Sequence, residues 1–177
     1  MTVQFPIRVG VIGTGVMGER HARIYSDLEG CELVGVYDPD LERATAVAQR
    51  HGGTAFQLLE HLFAEVDAVS IVSPTSTHAA VAHRALDFGR HILIEKPMTA
   101  TVGEARLLAE RVRRSEQIVV VGHIERFNPV VQKLRSVIAN DRPRRVRLRR
   151  IAPFDNRCLD SDVISDLMIH DIDLVQS

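Results

Sequence analysis

Apolar runs at residues 7–12, 32–37, 68–72, 91–94 and 118–121 punctuate the first part of the chain. Each is rich in Val and Ile and apolar over most of its length, as strands covered on both faces of a parallel sheet must be. Between them, residues 16–28, 41–50, 77–88 and 102–114 carry apolar side chains at three- and four-residue steps. Val102, Ala105, Leu108, Ala109 and Val112 form the clearest stripe, with Glu and Arg on the opposite face. Strands alternating with helices of this length predict βαβ units and an α/β, doubly wound parallel sheet.

The rhythm changes after Gly122. Pro129 suits the first turn of a helix reaching about residue 139, and Asn140-Asp141-Arg142-Pro143 reads as a turn. Residues 144–151 alternate, with Val146 and Leu148 on one face and Arg145, Arg147 and Arg149 on the other, which predicts a strand of an antiparallel sheet with one wet face. A loop around 153–161 and a helix from about residue 165 to the last residue follow. The expected division is a first domain over residues 1–123 and the start of a second, α+β domain over 124–177. One strand with one or two helices cannot bury its own core, so the second domain reads as cut short.

Composition narrows the function classes. The 177 residues are 45% hydrophobic and 25% charged, and 22 Lys+Arg against 23 Asp+Glu leave a net charge of −1. That balance argues against a protein built for nucleic acid or an anionic membrane. Six arginines between Arg142 and Arg150 make a one-sided basic face, but the chain has no Trp and only two Tyr to stack bases, so the face reads as solvated or ion-paired. No apolar run approaches the ~20 residues of a membrane span, and the first ten residues lack the build of a signal peptide. Two cysteines, Cys31 and Cys158, make neither a disulfide framework nor a metal set. A cytoplasmic protein without a metal is expected.

The candidate chemistry begins where the first apolar run meets Gly13-Thr14-Gly15-Val16-Met17-Gly18 and a helix opens. Gly13 allows the strand-to-helix turn, Gly15 lets backbone approach a pyrophosphate, and Gly18 lets helix and strand pack closely. The helix N-terminus supplies N–H groups and partial positive charge. In the first βα junction this pattern predicts a Rossmann dinucleotide site. Asp38, at the end of the second run, would accept hydrogen bonds from a ribose diol and repel a 2′-phosphate, which favours NAD over NADP; Arg43 nearby leaves room for NADP. Asp40 suits the cap of the next helix. The run 68–72 empties into Ser73-Pro74-Thr75 and His78, polar residues that either line the cofactor trough or start a helix.

Lys96 follows Glu95 at the end of the run 91–94, on the rim that carries the glycine turn. A partly desolvated ammonium beside a positive nicotinamide can exchange a proton with a substrate hydroxyl, which arginine cannot do near neutral pH. Only Lys96 and Lys133 are lysine in this arginine-rich chain. Asp166 and His170 stand one helical turn apart, so both could face one substrate, with imidazole as general base and the carboxylate orienting it. His21, His51, His61, His83 and His91 show no partner pattern and read as structural or exposed. His123 reads as packed or cofactor-adjacent.

Together these residues resemble the Gfo/Idh/MocA family, the relatives of glucose–fructose oxidoreductase and inositol dehydrogenase. The resemblance rests on the glycine motif, Asp38-Pro39, Pro74-Thr75 with His78, Glu95-Lys96-Pro97 and Asp166-x-x-x-His170. It implies NAD-dependent oxidation of a secondary alcohol of a sugar or nucleotide sugar. It further implies Lys96 as the hydroxyl contact and proton relay, His170 as the base, Asp166 as its partner or a substrate ligand, and Glu95 on the cofactor side. The segments 121–129 and 166–173 are similar to members acting on UDP-N-acetylglucosamine at its 3-hydroxyl. Family members continue into a complete second domain that walls the substrate pocket and forms the oligomer interface, so a homo-oligomer is expected of a full-length chain. A non-catalytic NAD- or sugar-sensing protein of the same fold is the alternative.

Overall fold

The computed structural model describes residues 6–138, 144–151 and 162–177. The chain divides into two units, Met1–Val121 and Gly122–Ser177.

The first unit is a six-stranded sheet. In chain order its elements are β1 (Ile7–Ile12), α1 (Val16–Asp27), β2 (Cys31–Tyr37), α2 (Leu41–His51), β3 (Thr54–Phe56), α3 (Leu59–Glu65), β4 (Ala68–Ile71), α4 (Thr75–Asp87), β5 (His91–Ile94), α5 (Val102–Arg113) and β6 (Val119–Val121). The strands lie in the order β3-β2-β1-β4-β5-β6, every neighbour parallel. The sheet thus grows outward in both directions from β1 and β4. The crevice where the order reverses, at the carboxyl ends of those two strands, is where such sheets take ligands.

Alternation along the strands divides the core in two. Val11 joins Leu33 and Val36 under Ala22 of α1 and Ala44, Val47 and Ala48 of α2. Its neighbour Ile12 joins Val69, Ile71, Ile92 and Ile94 with Leu62 and Phe63 of α3, Ala82 and Ala85 of α4 and Leu108 of α5. Successive strand residues point to opposite faces, which places these two sets on the two sides of the sheet. Side chains cap the starts of α2 and α5. Asp40 accepts the Arg43 N–H at 3.1 Å, and Thr101 and Glu104 form a reciprocal capping box at the start of α5.

The apolar runs lie within a residue or so of the observed strands. Strand β3 and helix α3 were not marked by the pattern. β3 is three residues long at the sheet edge and only half-covered, and α3, at seven residues, is too short to show a helical period.

The second unit holds a 3₁₀ turn at Ile124–Phe127, α6 (Pro129–Ile138), a π turn at Ile164–Met168 and α7 (Ile169–Gln176). Pro129 begins α6 as expected, and the Asn128 side chain accepts the Val130 N–H at 3.0 Å, which caps it. The strand expected at 144–151 is not formed: these residues are exposed and carry no ladder. Alternation alone makes no strand. The described residues of this unit include no second strand to pair with it, and Arg150 instead reaches Asp171 at 3.0 Å and Glu125 at 3.5 Å. The helix expected from about residue 165 begins as a π turn and becomes α-helical at Ile169, so Asp166 and His170 stand on differently wound segments. The expected turn at 140–143 and loop at 153–161 lie outside the described residues, as does Cys158.

Candidate dinucleotide site

The turn after β1 shows why each motif glycine is there. Gly13 has φ +94°, and a Cβ on it would lie 2.6 Å from the Ser73 amide nitrogen. A Cβ on Gly18 would lie 1.8 Å from the Gly13 carbonyl oxygen. Both are required by the protein's own packing. Gly15 is different: it is exposed, its φ is an ordinary −67°, and a Cβ there would meet nothing within 4 Å. Among the described residues no contact demands glycine at this position, whereas a pyrophosphate laid against the backbone would. Gly15 is also the N-cap of α1 and places no side chain on the first N–H groups of the helix. Those donors and the helix dipole remain available to an anion. Val16 and Met17 follow, both exposed on the first turn.

Asp38 is buried just past β2. Its Oδ2 accepts from the Thr14 amide at 2.8 Å and the Thr14 hydroxyl at 2.9 Å. Its Oδ1 accepts from the Asp40 amide at 2.9 Å and from Arg43 at 3.3 Å. Burial pushes this carboxyl up, but the Thr14 and Asp40 hydrogen bonds and the Arg43 charge outweigh it and hold the group below its ordinary value. Asp38 thus ties the glycine turn to the end of β2. Its acceptor capacity is full, and the Arg43 contact, made by a half-exposed side chain, is the one a ribose hydroxyl could replace. The residues fit a dinucleotide.

On the other side of the crevice, the Ser73 hydroxyl meets that of Thr77 at 2.7 Å, and Thr77 also donates to the Pro74 carbonyl at 2.8 Å. Thr75 opens α4. His78, only 1% exposed, spans two carbonyl groups, with Nε2 2.8 Å from Ser73 O and Nδ1 3.0 Å from Pro97 O. A neutral imidazole donates to one of them, and the doubly protonated ring to both. Either way His78 braces the Ser73 loop against the loop that carries Lys96, from inside the fold and not from its surface.

Glu95 and Lys96 follow β5. The Glu95 amide donates to the Ile71 carbonyl of β4 at 2.9 Å, and Glu95 Oε2 accepts the Lys96 amide at 3.1 Å. Glu95 also faces His21 of α1, with Oε1 3.3 Å from Nε2. His21 is thus structural rather than exposed, with partners at both ring nitrogens that its sequence context did not show. A serine inside the apolar run 68–72 was the available signal. Ser70 is fully buried and lies 2.7 Å from His21 Nδ1. Among the described residues no group of three His, Cys, Asp or Glu side chains could hold a metal.

In the second unit, Asp166 lies on the π turn, where its amide donates to the Asp162 carbonyl at 2.9 Å, and His170 is in the first turn of α7; both are half-buried. The best-ordered cluster there lies elsewhere. Asp173, 8% exposed, accepts both arms of Arg126, one at 2.7 Å, and faces His123 at 3.8 Å. The Arg126 bond holds the Asp173 carboxyl below its usual range despite burial. The sequence pattern assigns this trio no role beyond His123 as packed or cofactor-adjacent.

Comparison with known proteins places this geometry. The family described as "Oxidoreductase family, NAD-binding Rossmann fold" (Gfo/Idh/MocA) matches residues 7–123. A UDP-N-acetylglucosamine 3-dehydrogenase of Acidithiobacillus ferrooxidans is 47% identical over 168 residues, covering 95% of this chain and 53% of that protein. A solved structure of that enzyme superposes with a TM-score of 0.89. A myo-inositol dehydrogenase of Lactobacillus casei, solved with NAD(H) and myo-inositol, is 31% identical and covers 76% of this chain and 41% of its own, with a TM-score of 0.70. The chain spans about half the length of the Acidithiobacillus relative or less of the others named here. With a sheet in this strand order, a glycine turn shaped for a pyrophosphate and a family match that runs through both, the chain belongs to the Gfo/Idh/MocA family of oxidoreductases with an NAD-binding Rossmann fold.

Proposed function

We propose that the protein acts as an NAD-dependent dehydrogenase on a secondary alcohol of a nucleotide sugar, with the 3-hydroxyl of UDP-N-acetylglucosamine as the candidate substrate. The observation that carries the reading is Gly15, whose lack of a side chain serves no contact among the described residues and suits a bound pyrophosphate. The substrate class is supported by the 47% identity to the Acidithiobacillus enzyme, against 31% to an inositol dehydrogenase.

When bound, NAD supplies the hydride acceptor. The chain's residues do the rest. The α1 N-terminus and the Gly13–Gly18 turn hold the pyrophosphate. Asp38 takes the adenosine ribose in exchange for Arg43, and a carboxylate there disfavours the 2′-phosphate of NADP. Ser73, Pro74 and Thr75 line the crevice, with His78 behind them. Lys96 donates to the substrate hydroxyl oxygen and stabilises negative charge as it develops. His170 accepts the hydroxyl proton, and Asp166 orients the ring or a neighbouring substrate hydroxyl.

The test is incubation of the protein with NAD and UDP-N-acetylglucosamine, followed by the absorbance of reduced nicotinamide. Absorbance gain is expected, lost by ~10²–10⁴-fold in Lys96→Met, the usual worth of acid–base assistance, with NAD affinity almost unchanged. Equal turnover in Lys96→Met would remove Lys96 from the mechanism. Tight NAD binding without any absorbance gain across sugars and UDP-sugars would overturn the enzyme in favour of a sensor.

A further inference from the structure

A row of polar side chains crosses the sheet beneath the Lys96 rim. It begins at Tyr25 of α1, whose ring packs against that of His21. Ser70 sits in the middle of β4, fully buried, on the side opposite Val69 and Ile71. Its hydroxyl lies 2.7 Å from His21 Nδ1, and the His21 ring packs edge-on to Tyr25 with centroids 6.3 Å apart. His21 Nε2 approaches Glu95 Oε1 at 3.3 Å, and Glu95 Oε2 accepts the Lys96 amide. Side chains of His21 and Glu95 are 13% and 12% exposed.

The proton on one His21 nitrogen sets the role of the other. A carboxylate facing Nε2 requires a proton on that nitrogen. In the neutral ring Nδ1 is then an acceptor, and Ser70 donates to it. Burial pushes the Tyr25 phenol up. Burial pushes the Glu95 carboxyl up too, but His21 and the Lys96 amide outweigh it and hold the group below its ordinary value. His21 approaches Oε1 off the hydrogen-bond direction, and no other donor among the described residues reaches that buried oxygen. The charge on Glu95 therefore rests on the imidazole first, with the Lys96 amide and ammonium beside it. An isolated carboxylate buried here would take up a proton and weaken its hold on the Lys96 amide.

We propose that His21 is a positioning residue for Lys96, acting through Glu95 and held in place by Ser70. The helix whose first turn faces the pyrophosphate thereby also fixes the start of the loop that carries the ammonium. Placement of cofactor and of Lys96 is coupled through one element. The catalytic meaning rests on the dehydrogenase reading; the coupling of His21 to Glu95 and to the Lys96 amide does not.

The titratable groups facing the row are Tyr25 from α1, Cys31 from β2, and Glu95 and Lys96 from the end of β5. The experiment follows the Glu95 carboxyl carbon and the Lys96 amide by NMR in the 177-residue chain, against pH, for the native sequence and for His21→Leu and His21→Gln. In His21→Leu, which fills the space without donating, Glu95 titrates at higher pH and the Lys96 amide exchanges about tenfold faster or more, the worth of a hydrogen bond to a charged group. His21→Gln, which can donate to the carboxylate, restores much of both. Ser70→Ala moves both in the same direction by less, and serves if either His21 variant fails to fold. Identical behaviour of Leu and Gln, or unchanged Glu95 titration in all variants, overturns the proposal. NADH titration of the native chain judges the dehydrogenase reading separately, since its failure would leave the Glu95 and Lys96 readouts intact.

Discussion

Between β1 and β6 apolar side chains fill both faces of a sheet, from Val11 and Val36 on one side to Ile71, Ile94 and Phe63 on the other. From Gly122 to Ser177 the described residues bury only Gly122 and Asp173, while Phe127, Val130, Val137, Ile164 and Val175 stay more than half exposed. What orders the second unit is charge: Arg126 on Asp173, and Arg150 on Asp171 and Glu125. The two units carry their candidate chemistry on different supports. Lys96 stands at the end of a strand whose Ile92 and Ile94 are buried, and below it lies the row of Ser70, His21 and Glu95. Asp166 and His170 stand on a π turn and a short helix with an apolar outer face. π turns recur at functional sites because they re-aim side chains, and they are less stable than the α-helix they interrupt.

The contrast is open to direct attack. Phe63→Ala, in the sheet unit, should lower stability by about 3–5 kcal/mol in a chemical denaturation series, since the ring is fully buried. A loss below about 1 kcal/mol would mean that the core on that face is not close-packed. Lowering the pH should next destabilise the sheet unit through Asp38. Its carboxyl titrates lower in the folded than in the unfolded chain, so the unfolded chain binds more protons near the ordinary carboxylate pKa. The stabilisation is present in full above the unfolded value and is lost as pH falls through the folded one. Asp38→Asn should flatten that acid limb of the stability curve, and an unaltered limb would show that Thr14 and Arg43 do not hold the charge. Added salt should loosen α7 and the 144–151 segment, followed by amide exchange, with little effect on the strands, because the Debye length falls below ~10 Å above 0.1 M and the Arg150 and Arg126 pairs are near the surface. Equal salt response in both units would erase the distinction. Smallest of all, Leu134→Ala on exposed α6 should change stability by no more than about 0.5 kcal/mol.

How far the sequence speaks follows the same division. The runs 7–12, 68–72 and 91–94 became strands because continuous Val and Ile in a buried parallel sheet leave few alternatives. Gly13 and Gly18 were legible because the turn they make is local. The edge strand β3 was not, since three half-covered residues carry no period. The 144–151 alternation was misleading because a strand is a property of a pair, and its partner was never written into the pattern. His21 escaped notice for a related reason: its meaning comes from Ser70 and Glu95 on two other elements, and only the single serine inside an apolar strand hinted at it. Asp166 and His170 were found at their spacing, though the π winding beneath them was not.

Gly15 offers the most direct test of the account, since the fold tolerates a side chain there and a bound pyrophosphate does not. NADH titrated into the chain and into Gly15→Val, each with its melting curve, should show binding to the first, none to the second, and melting temperatures within about 5 °C of each other, the cost of a poorer N-cap. Undiminished binding by Gly15→Val, or no binding by the native chain, would contradict it.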